Sequence, residues 1–568
     1  MTNEEFTKHS NSFTDLIVNS NHPRKIILAG AGCGKSFTFK KILIKNSSNP
    51  SDSLAITFIN ALSTDLRAKL GEHADARTFH SLAKMLYMRT GGADGETFSG
   101  LEHIIDKDYQ IIKDPSTKID FSKLFRNFEK NEAIDFFLER GDYYKAYYHE
   151  DIVYRAVVLA EEINSPLANY KVAVVDEYQD FNQLEAVFLE KAIKAEQLIL
   201  AGDDDQAIYD FRSSPDIIRK KAADNSYKVF NLPYCFRCTE IIVKEVKTII
   251  EKAKENGFLS SRLEKDYLTF SPIKAQDSNN FPKIIHAKCS MFTKKCPYVA
   301  RFIADEIKKI TTLEIDEAKE KGYFDVLIIG ASQYLLQVSN YFKLMGIKHE
   351  YKPREEPDFY DHLLLALTKL LRLDADSNLG WRIIVEHEKP SSFEEIIKKT
   401  SNGITLSSLL EQSYKEKYLN IIQTLISVVN KESVDNDRWK KLEDIIAIPK
   451  SQIEERLIKK KEATTEQEEN NLPTIKLTTH VGSKGLSGGR VFIISFNDGD
   501  FPHNPSKITE NEINMLIVDI TRTVKQCYLL SNWRFGANYG MRESTFINWF
   551  DRDAIKTIEV NKKYFEQK

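Results

Sequence analysis

Cysteine is scarce in this chain. Six residues, Cys33, Cys235, Cys238, Cys289, Cys296 and Cys527, lie scattered over 568 positions. That excludes a disulfide framework and points to a reducing compartment, so a cytoplasmic protein is expected. Long hydrophobic runs are also missing. The most apolar stretch, LLLALTKLLRL at 363–373, is short and carries Lys369 and Arg372. It reads as a core helix, and no membrane partner is expected. The opening MTNEEFTKHSNSFT is polar and acidic and has no apolar core of a secretory leader. A strong charge of either sign is absent too. The formal net charge of −3 excludes a globally basic nucleic-acid binder, so any such site must be a local groove. No fixed-period repeat is visible. What remains is 42% hydrophobic and 29% charged, the make-up of a soluble globular protein. The length predicts about three or four domains.

Apolar runs alternate with helical periodicity in two blocks. KIILAG at 25–30 ends in a glycine-rich turn, and the helical pattern KSFTFKKILIKN follows. LAITF at 54–58, VAVVDE at 172–177, LILAGD at 198–203 and YKVFNL at 227–232 read as further buried strands. Strand, loop, helix and strand in that order predict a parallel α/β sheet. A second set begins near 282 with KIIHA, then DVLIIG at 325–330, IKLTT at 475–479, RVFIISF at 490–496 and CYLLSN at 527–532. Helical patterns rich in aromatics fill about 85–165, and helical patterns fill about 355–470. The stretch KKKEATTEQEENNLP at 459–473 is nearly devoid of apolar residues and reads as a solvated connector. The expected fold class is α/β, with two parallel-sheet domains that each carry a mainly helical insertion.

The turn after the first strand, AGAGCGKS, spans Ala29, Gly30, Ala31, Gly32, Cys33, Gly34, Lys35 and Ser36, with Phe37 opening the helix. Glycines here let backbone N–H groups converge on phosphate oxygens, and a helix N-terminus adds a favourable dipole. Lys35 suits the β- and γ-phosphates of ATP and Ser36 suits Mg²⁺. Ala29 stands where the strict motif has glycine. The strand AVVDEYQD delivers Asp176 and Glu177 at its carboxyl end. Asp176 is a candidate for Mg²⁺, and Glu177 for orienting and deprotonating a water.

DEYQD followed by AGDDDQAIYDFR is more specific than either motif. Together these residues resemble the UvrD/Rep-type superfamily 1A DNA helicases, and the likeness runs in order from about 25 to 550. It implies two RecA-like domains around an ATP cleft. The implied boundaries are 1–84 and 166–240 for the first domain, with insertion 85–165, and 241–354 and 471–568 for the second, with a reduced insertion 355–470. The resemblance assigns Phe58 and Asn60, Thr78 and His80, Tyr209, Phe211, Arg212 and Lys484 to single-stranded DNA. It assigns Gln206 to the γ-phosphate, Phe236 to the adenine face, and Arg237 and Arg522 to the γ-phosphate as arginine fingers. Gly485 falls in a nucleotide-contact segment, and Glu512 sits at the family's acidic position. What it implies is an ATP- and Mg²⁺-dependent translocase and 3′→5′ helicase on single-stranded or tailed duplex DNA. The alternative is a DNA-stimulated ATPase serving as sensor or loading subunit for a partner nuclease in repair or anti-phage defence. A P-loop ATPase without nucleic acid is a third class, opposed by Tyr209 and Phe211.

The chain departs from the family in places. It has no Gln before Gln110, where the family carries one that reads the adenine edge, and the spacing falls near Thr14. Phe211 replaces the usual Trp, Ser487 replaces an acid in KGLSG, and His480 is one residue out of register. Strict preference for ATP is therefore not expected. The Cys235-x-x-Cys238 pair has a spacing that suits zinc, but a zinc site needs about four ligands and two are at hand, so packing is the expectation. Cys33 lies inside the phosphate loop, where the helix dipole and Lys35 are expected to lower its pKa and make it sensitive to alkylation.

Overall fold

The computed structural model describes residues 2–46, 49–57, 70–113, 118–209, 215–353, 359–462 and 472–567. The chain divides into two compact units, one of Met1–Leu82, Ala168–Pro353 and Asn470–Lys568, the other of Ala83–Leu167 and Arg354–Glu469.

The first unit holds two large sheets. Six strands form the first: β1 (Arg24–Ala29), β2 (Ser53–Thr57), β3 (Asp75–Thr78), β4 (Ala168–Val175), β5 (Ile193–Gly202) and β6 (Lys228–Leu232). Their order is β3-β2-β4-β5-β1-β6, and every pairing is parallel. Seven strands form the second: β7 (Ile284–Cys289), β8 (Phe324–Ile329), β9 (Glu350–Tyr351), β10 (Ile475–Thr478), β11 (Gly488–Ile493), β12 (Thr523–Asn532) and β13 (Ile555–Val560). Their order is β9-β10-β8-β11-β12-β7-β13, again parallel throughout.

The central strands read as unbroken apolar runs because both of their faces are covered. β2, β11 and β12 are buried along their whole length. The strands that the apolar runs do not announce are β3, β9 and β13. β3 and β13 are polar and only partly buried, β9 has two residues, and β9 and β13 close the second sheet's edges.

Strand order places the first sheet's chemistry. β1 lies between β5 and β6, with Leu28 beside Gly202 and Ala29 beside Leu232. Segments leaving the carboxyl ends of β1, β4 and β5 therefore emerge along one edge, the edge where open parallel sheets bind ligands.

The second unit is mainly helical. Leu363, Leu367, Trp381, Ile384, Leu406, Tyr418, Leu425 and Leu442 are among its core residues. At its centre Asp108 is fully buried and accepts hydrogen bonds from Arg140 Nε at 3.0 Å and Arg382 Nε at 3.0 Å. Among the described residues, no helix is long and apolar enough to cross a membrane.

Candidate functional site

The loop after β1 is shaped by two glycines. Gly32 and Gly34 take φ of +71° and +83°, a region open to glycine at no steric cost. A Cβ on Gly32 would also lie 2.6 Å from Arg237 Cβ. The helix Lys35–Asn46 begins at once and has no acidic residue in its first turn, which leaves its N-terminal N–H groups and dipole to an anion. Phe39, Ile42 and Leu43 anchor that helix with no exposed surface. Each contributes about 1.5–3 kcal/mol of burial, so the loop's landing point is firm. Ser36 is half-buried beside Lys35, and Phe37 is 55% exposed with Lys41 Nζ 5.0 Å from its ring centre.

Asp176 and Glu177 follow β4 and face that loop. Lys35 Nζ lies 2.8 Å from Glu177 Oε1 and 3.7 Å from Asp176 Oδ1. Gln179 Nε2 donates to Glu177 Oε2 at 2.7 Å. Burial pushes both acids up, but for Glu177 the charges of Lys35 and Lys484 and the bond from Gln179 outweigh it and hold the carboxyl at about 2. For Asp176 burial wins, leaving it at about 6. Burial also opposes the Lys35 ammonium, yet Glu177 and Asp176 raise its pKa overall. Glu177 has φ +53° and ψ +42°, a left-handed conformation that costs a non-glycine residue about 1–3 kcal/mol. Such strain collects at functional sites.

The opposite wall comes from the second sheet. Tyr323, Phe324, Lys484, Gly485, Leu486, Ser487, Arg522 and Val524 face the loop across a cleft of about 630 Å³. Arg522 is 2% exposed and donates to Val518 O at 2.9 Å, Leu486 O at 3.4 Å and Gln206 Oε1 at 3.2 Å. Arg237 donates to Thr521 O at 3.3 Å. Neither guanidinium has a carboxylate within ion-pair distance among the described residues. Burial and then the like charge of Arg237 pull the Arg522 pKa down to about 10. Gly485 turns with φ +82°. Phe236 is 39% exposed at the rim, tilted on Phe270 with ring centres 4.5 Å apart.

The structure thus brings together Gly30 to Phe37, Asp176, Glu177, Gln206, Phe236, Arg237, Lys484, Gly485 and Arg522 along one cleft. Ala29, 1% exposed, is the last residue of the strand beneath it. The local pattern did not reveal Gln179, Tyr267 or Lys274. Tyr267 supports the loop from behind, donating to Ala31 O at 2.9 Å. Lys274, a cleft-lining residue, is held by Asp277 at 2.6 Å.

Two expectations change. Cys33 is 3% exposed, and burial followed by Cys235 and Asp203 raises its thiol well above the ordinary value despite Lys35. The side chain packs behind the loop, so the low-pKa reading is corrected. Lys484, expected at DNA, is turned into the cleft wall. It is 4% exposed, pairs with Asp180 Oδ2 at 2.7 Å and donates to the Gln206 carbonyl.

Residues 15–212 match the family described as "AAA domain". A Mycoplasma genitalium protein named "Probable DNA helicase II homolog" is 23% identical over 95% of this chain and 87% of its own length. "ATP-dependent DNA helicase Rep" of Buchnera aphidicola is 23% identical over 89% of this chain and 90% of its own. "ATP-dependent DNA helicase PcrA" of Bacillus subtilis is 21% identical over 95% and 85%. Along most of its length the chain is thus similar to proteins named as DNA helicases.

The positions that the resemblance assigns to DNA are spread more widely. Thr78 ends β3 and His80 lies in the helix Phe79–Arg89, both half-buried. Tyr209 lies partly exposed beyond the Asp204–Gln206 turn, with Lys484 Nζ 5.3 Å from its ring centre. Phe58, Asn60, Phe211 and Arg212 lie outside the described residues. Glu512 is the third residue of the helix Glu510–Ile520, where it completes a capping box with the N-cap Thr509 and accepts from His503 N at 2.7 Å.

Proposed function

We propose that this chain is an ATP-driven translocase on single-stranded DNA that unwinds tailed duplexes and moves 3′→5′. The observation that carries the reading is the meeting of Arg237, beside a glycine loop aimed at anions, with Arg522 from the opposite wall, both without an ion-paired acid among the described residues. Arg522 is buried and Arg237 half-buried, and positive charge so enclosed calls for an anion, which a triphosphate's β- and γ-groups supply.

On that reading Lys35 leaves Glu177 for the β- and γ-phosphates. Glu177, already held ionised, then faces the attacking water and takes its proton. Ser36 and Asp176, an oxygen donor set beside the loop, would hold Mg²⁺, which screens phosphate charge when bound. Gln206 presents its amide beside Arg522 at the γ-position. Phe236 lies against the base, and any base offers it a π-face. Arg237 and Arg522 stabilise the transferring phosphoryl group, a contribution of about 10³–10⁵ in rate for such fingers.

Loss of the γ-phosphate leaves two cations facing one another, which favours opening. Repeated closing and opening around a gripped strand gives directional movement. Thr78, His80 and Tyr209, together with Phe58, Asn60, Phe211 and Arg212, are the proposed strand contacts. The printed names of the relatives support DNA as the track.

The test is ATP hydrolysis with and without single-stranded DNA, and unwinding of 3′- and 5′-tailed duplexes. Stimulation by DNA with unwinding from 3′ tails is expected. No stimulation removes the DNA reading. Stimulation without unwinding leaves a DNA-stimulated ATPase acting as a sensor or loading subunit. Unwinding from 5′ tails alone overturns the polarity.

A further inference from the structure

Three consecutive aspartates, Asp203, Asp204 and Asp205, follow β5 and are 3%, 0% and 4% exposed. Three buried carboxylates this close repel strongly unless cations are brought to them. The cations come from a separate segment between the two sheets. Lys265 Nζ lies 2.8 Å from Asp203 Oδ1, 2.6 Å from Asp204 Oδ1 and 2.9 Å from Asp205 Oδ2. Arg262 grips Asp205 with Nε and Nη2 at 2.8 and 2.9 Å, and Leu263 N donates to Asp204 Oδ2 at 2.9 Å. Arg219 reaches Asp204 at 3.1 Å. One ammonium thus gathers all three acids.

The same loop orients a cleft residue. Asp203 Oδ2 accepts from Gln206 Nε2 at 2.7 Å, which fixes the amide so that Oε1 faces Arg522 Nη2 at 3.2 Å. Asp203 N donates to Gln179 Oε1 at 3.1 Å, and Gln179 in turn bonds Glu177. A Cβ on Gly202 would come within 2.5 Å of that Gln179 oxygen, so glycine there permits the approach. From the other side, Asn514 Nδ2 donates to Ala207 O at 3.0 Å.

We propose that Lys265 is a positioning residue for hydrolysis, acting through Asp203 to hold the Gln206 amide toward Arg522 and the γ-phosphate. The inference rests on the cleft being an ATP site. Lys265 is not among the residues that line that cleft, and its ionic partners are the three aspartates. Without its ammonium the three carboxylates separate or take up a proton, Asp203 turns from Gln206, and the amide loses its fixed direction. A displacement of about 1 Å at such a group costs on the order of 100-fold in turnover.

The experiment compares wild type with Lys265→Met, Lys265→Arg, Gln206→Ala and Lys265→Met/Gln206→Ala in DNA-stimulated ATP hydrolysis, with a fluorescent non-hydrolysable ATP analogue to read binding. Lys265→Met is expected to lower kcat about 10- to 100-fold and leave analogue affinity within about threefold. Lys265→Arg is expected to recover part of the loss. The double variant is expected to be no slower than Gln206→Ala, since residues acting as one unit are not additive. An unchanged kcat in Lys265→Met, or an equal further loss in the double variant, overturns the proposal. Wild type without ATPase activity would sink the ATP reading instead. In that case, and where Lys265→Met does not fold, a crystal structure of Lys265→Arg or Asp203→Asn decides. A Gln206 amide turned away from Arg522 in Asp203→Asn, but kept in Lys265→Arg, is expected. An amide unmoved in Asp203→Asn overturns the proposal.

Discussion

The two sheets of the cleft are both wholly parallel, yet they offer it opposite edges. The first gives the carboxyl ends of β1, β4 and β5, from which the glycine loop, Asp176 with Glu177, and the Asp203–Gln206 turn emerge. The second gives the amino ends of β8, β11 and β12, where Phe324, Ser487 and Arg522 stand. A carboxyl edge gathers loops that open into helix N-termini, so it can bind phosphate by itself. The amino edge adds mainly side chains, beside the turn at Gly485. On the proposed function this is a division of labour, in which one wall holds the nucleotide and the other completes the charge needed when the γ-phosphate leaves.

The sharpest way to break this comparison is to remove one cation from each wall. Lys35→Ala is expected to lose nucleotide binding and turnover together. Arg522→Ala is expected to lose about 10³–10⁵ in kcat while the affinity for a non-hydrolysable analogue stays within about tenfold. Steady-state kinetics beside analogue titration reads the split. If Arg522→Ala weakened binding as much as turnover, the second wall would hold the nucleotide too.

Within the first wall, Glu177→Gln separates holding from chemistry. A kcat loss of about 10²–10⁴ is expected. Affinity should rise, because Lys35 no longer has to leave a carboxylate 2.8 Å away before meeting phosphate. Analogue titration of this variant against wild type checks the sign, and weaker binding would show that Glu177 helps to hold the nucleotide.

How much of this could be read from the chain depends on sequence distance. Lys35, Asp176 and Glu177 stand in short patterns whose strand context is local, and the buried strands announced themselves as apolar runs. Phe236 and Arg237 needed the family resemblance, since their own stretch draws the eye to the flanking cysteines. Lys265 left no mark at all. Its three partners lie about sixty positions upstream, and a lone lysine in a polar segment looks solvated until the fold buries it. β13 was hidden for a related reason. IKTIEV lies on a sheet edge with only Val560 buried, so it lacks a strand's apolar signature.

A smaller effect concerns the base. Thr14, near the position of the family's adenine-reading glutamine, is buried in the helix Asn3–Asn19, and among the described residues nothing from that helix lines the cleft. Base contact then falls to Phe236 at the rim. Phe236→Ala is expected to raise KM for ATP about tenfold with kcat little changed, in line with about 1–3 kcal/mol for one stacked base. Wild type should use GTP with a KM within about tenfold of that for ATP, since a π-face does not read base edges. Side-by-side KM values settle this, and strong rejection of GTP would mean that another group reads the base.

The smallest expected effect falls on the cysteines. Five thiols are buried and only Cys296 is partly exposed. Cys235 Sγ accepts from Cys238 N at 3.3 Å and lies 3.2 Å from Tyr267 Oη, and Cys33 packs beside them with its thiol raised by burial. For Cys33 the raised pKa leaves little thiolate near neutral pH; for Cys235, burial is outweighed by hydrogen bonding with Cys238 and Tyr267 that brings the pKa down to about 6, so there it is burial, denying the reagent access, that slows alkylation. With a coloured disulfide reagent, one thiol should react quickly in the native protein and the other five only on unfolding. Turnover should stay within about twofold after the fast phase. Activity lost in step with labelling of Cys33, mapped by peptide mass, would instead mean that the loop opens in solution and exposes a face that the first wall here keeps closed.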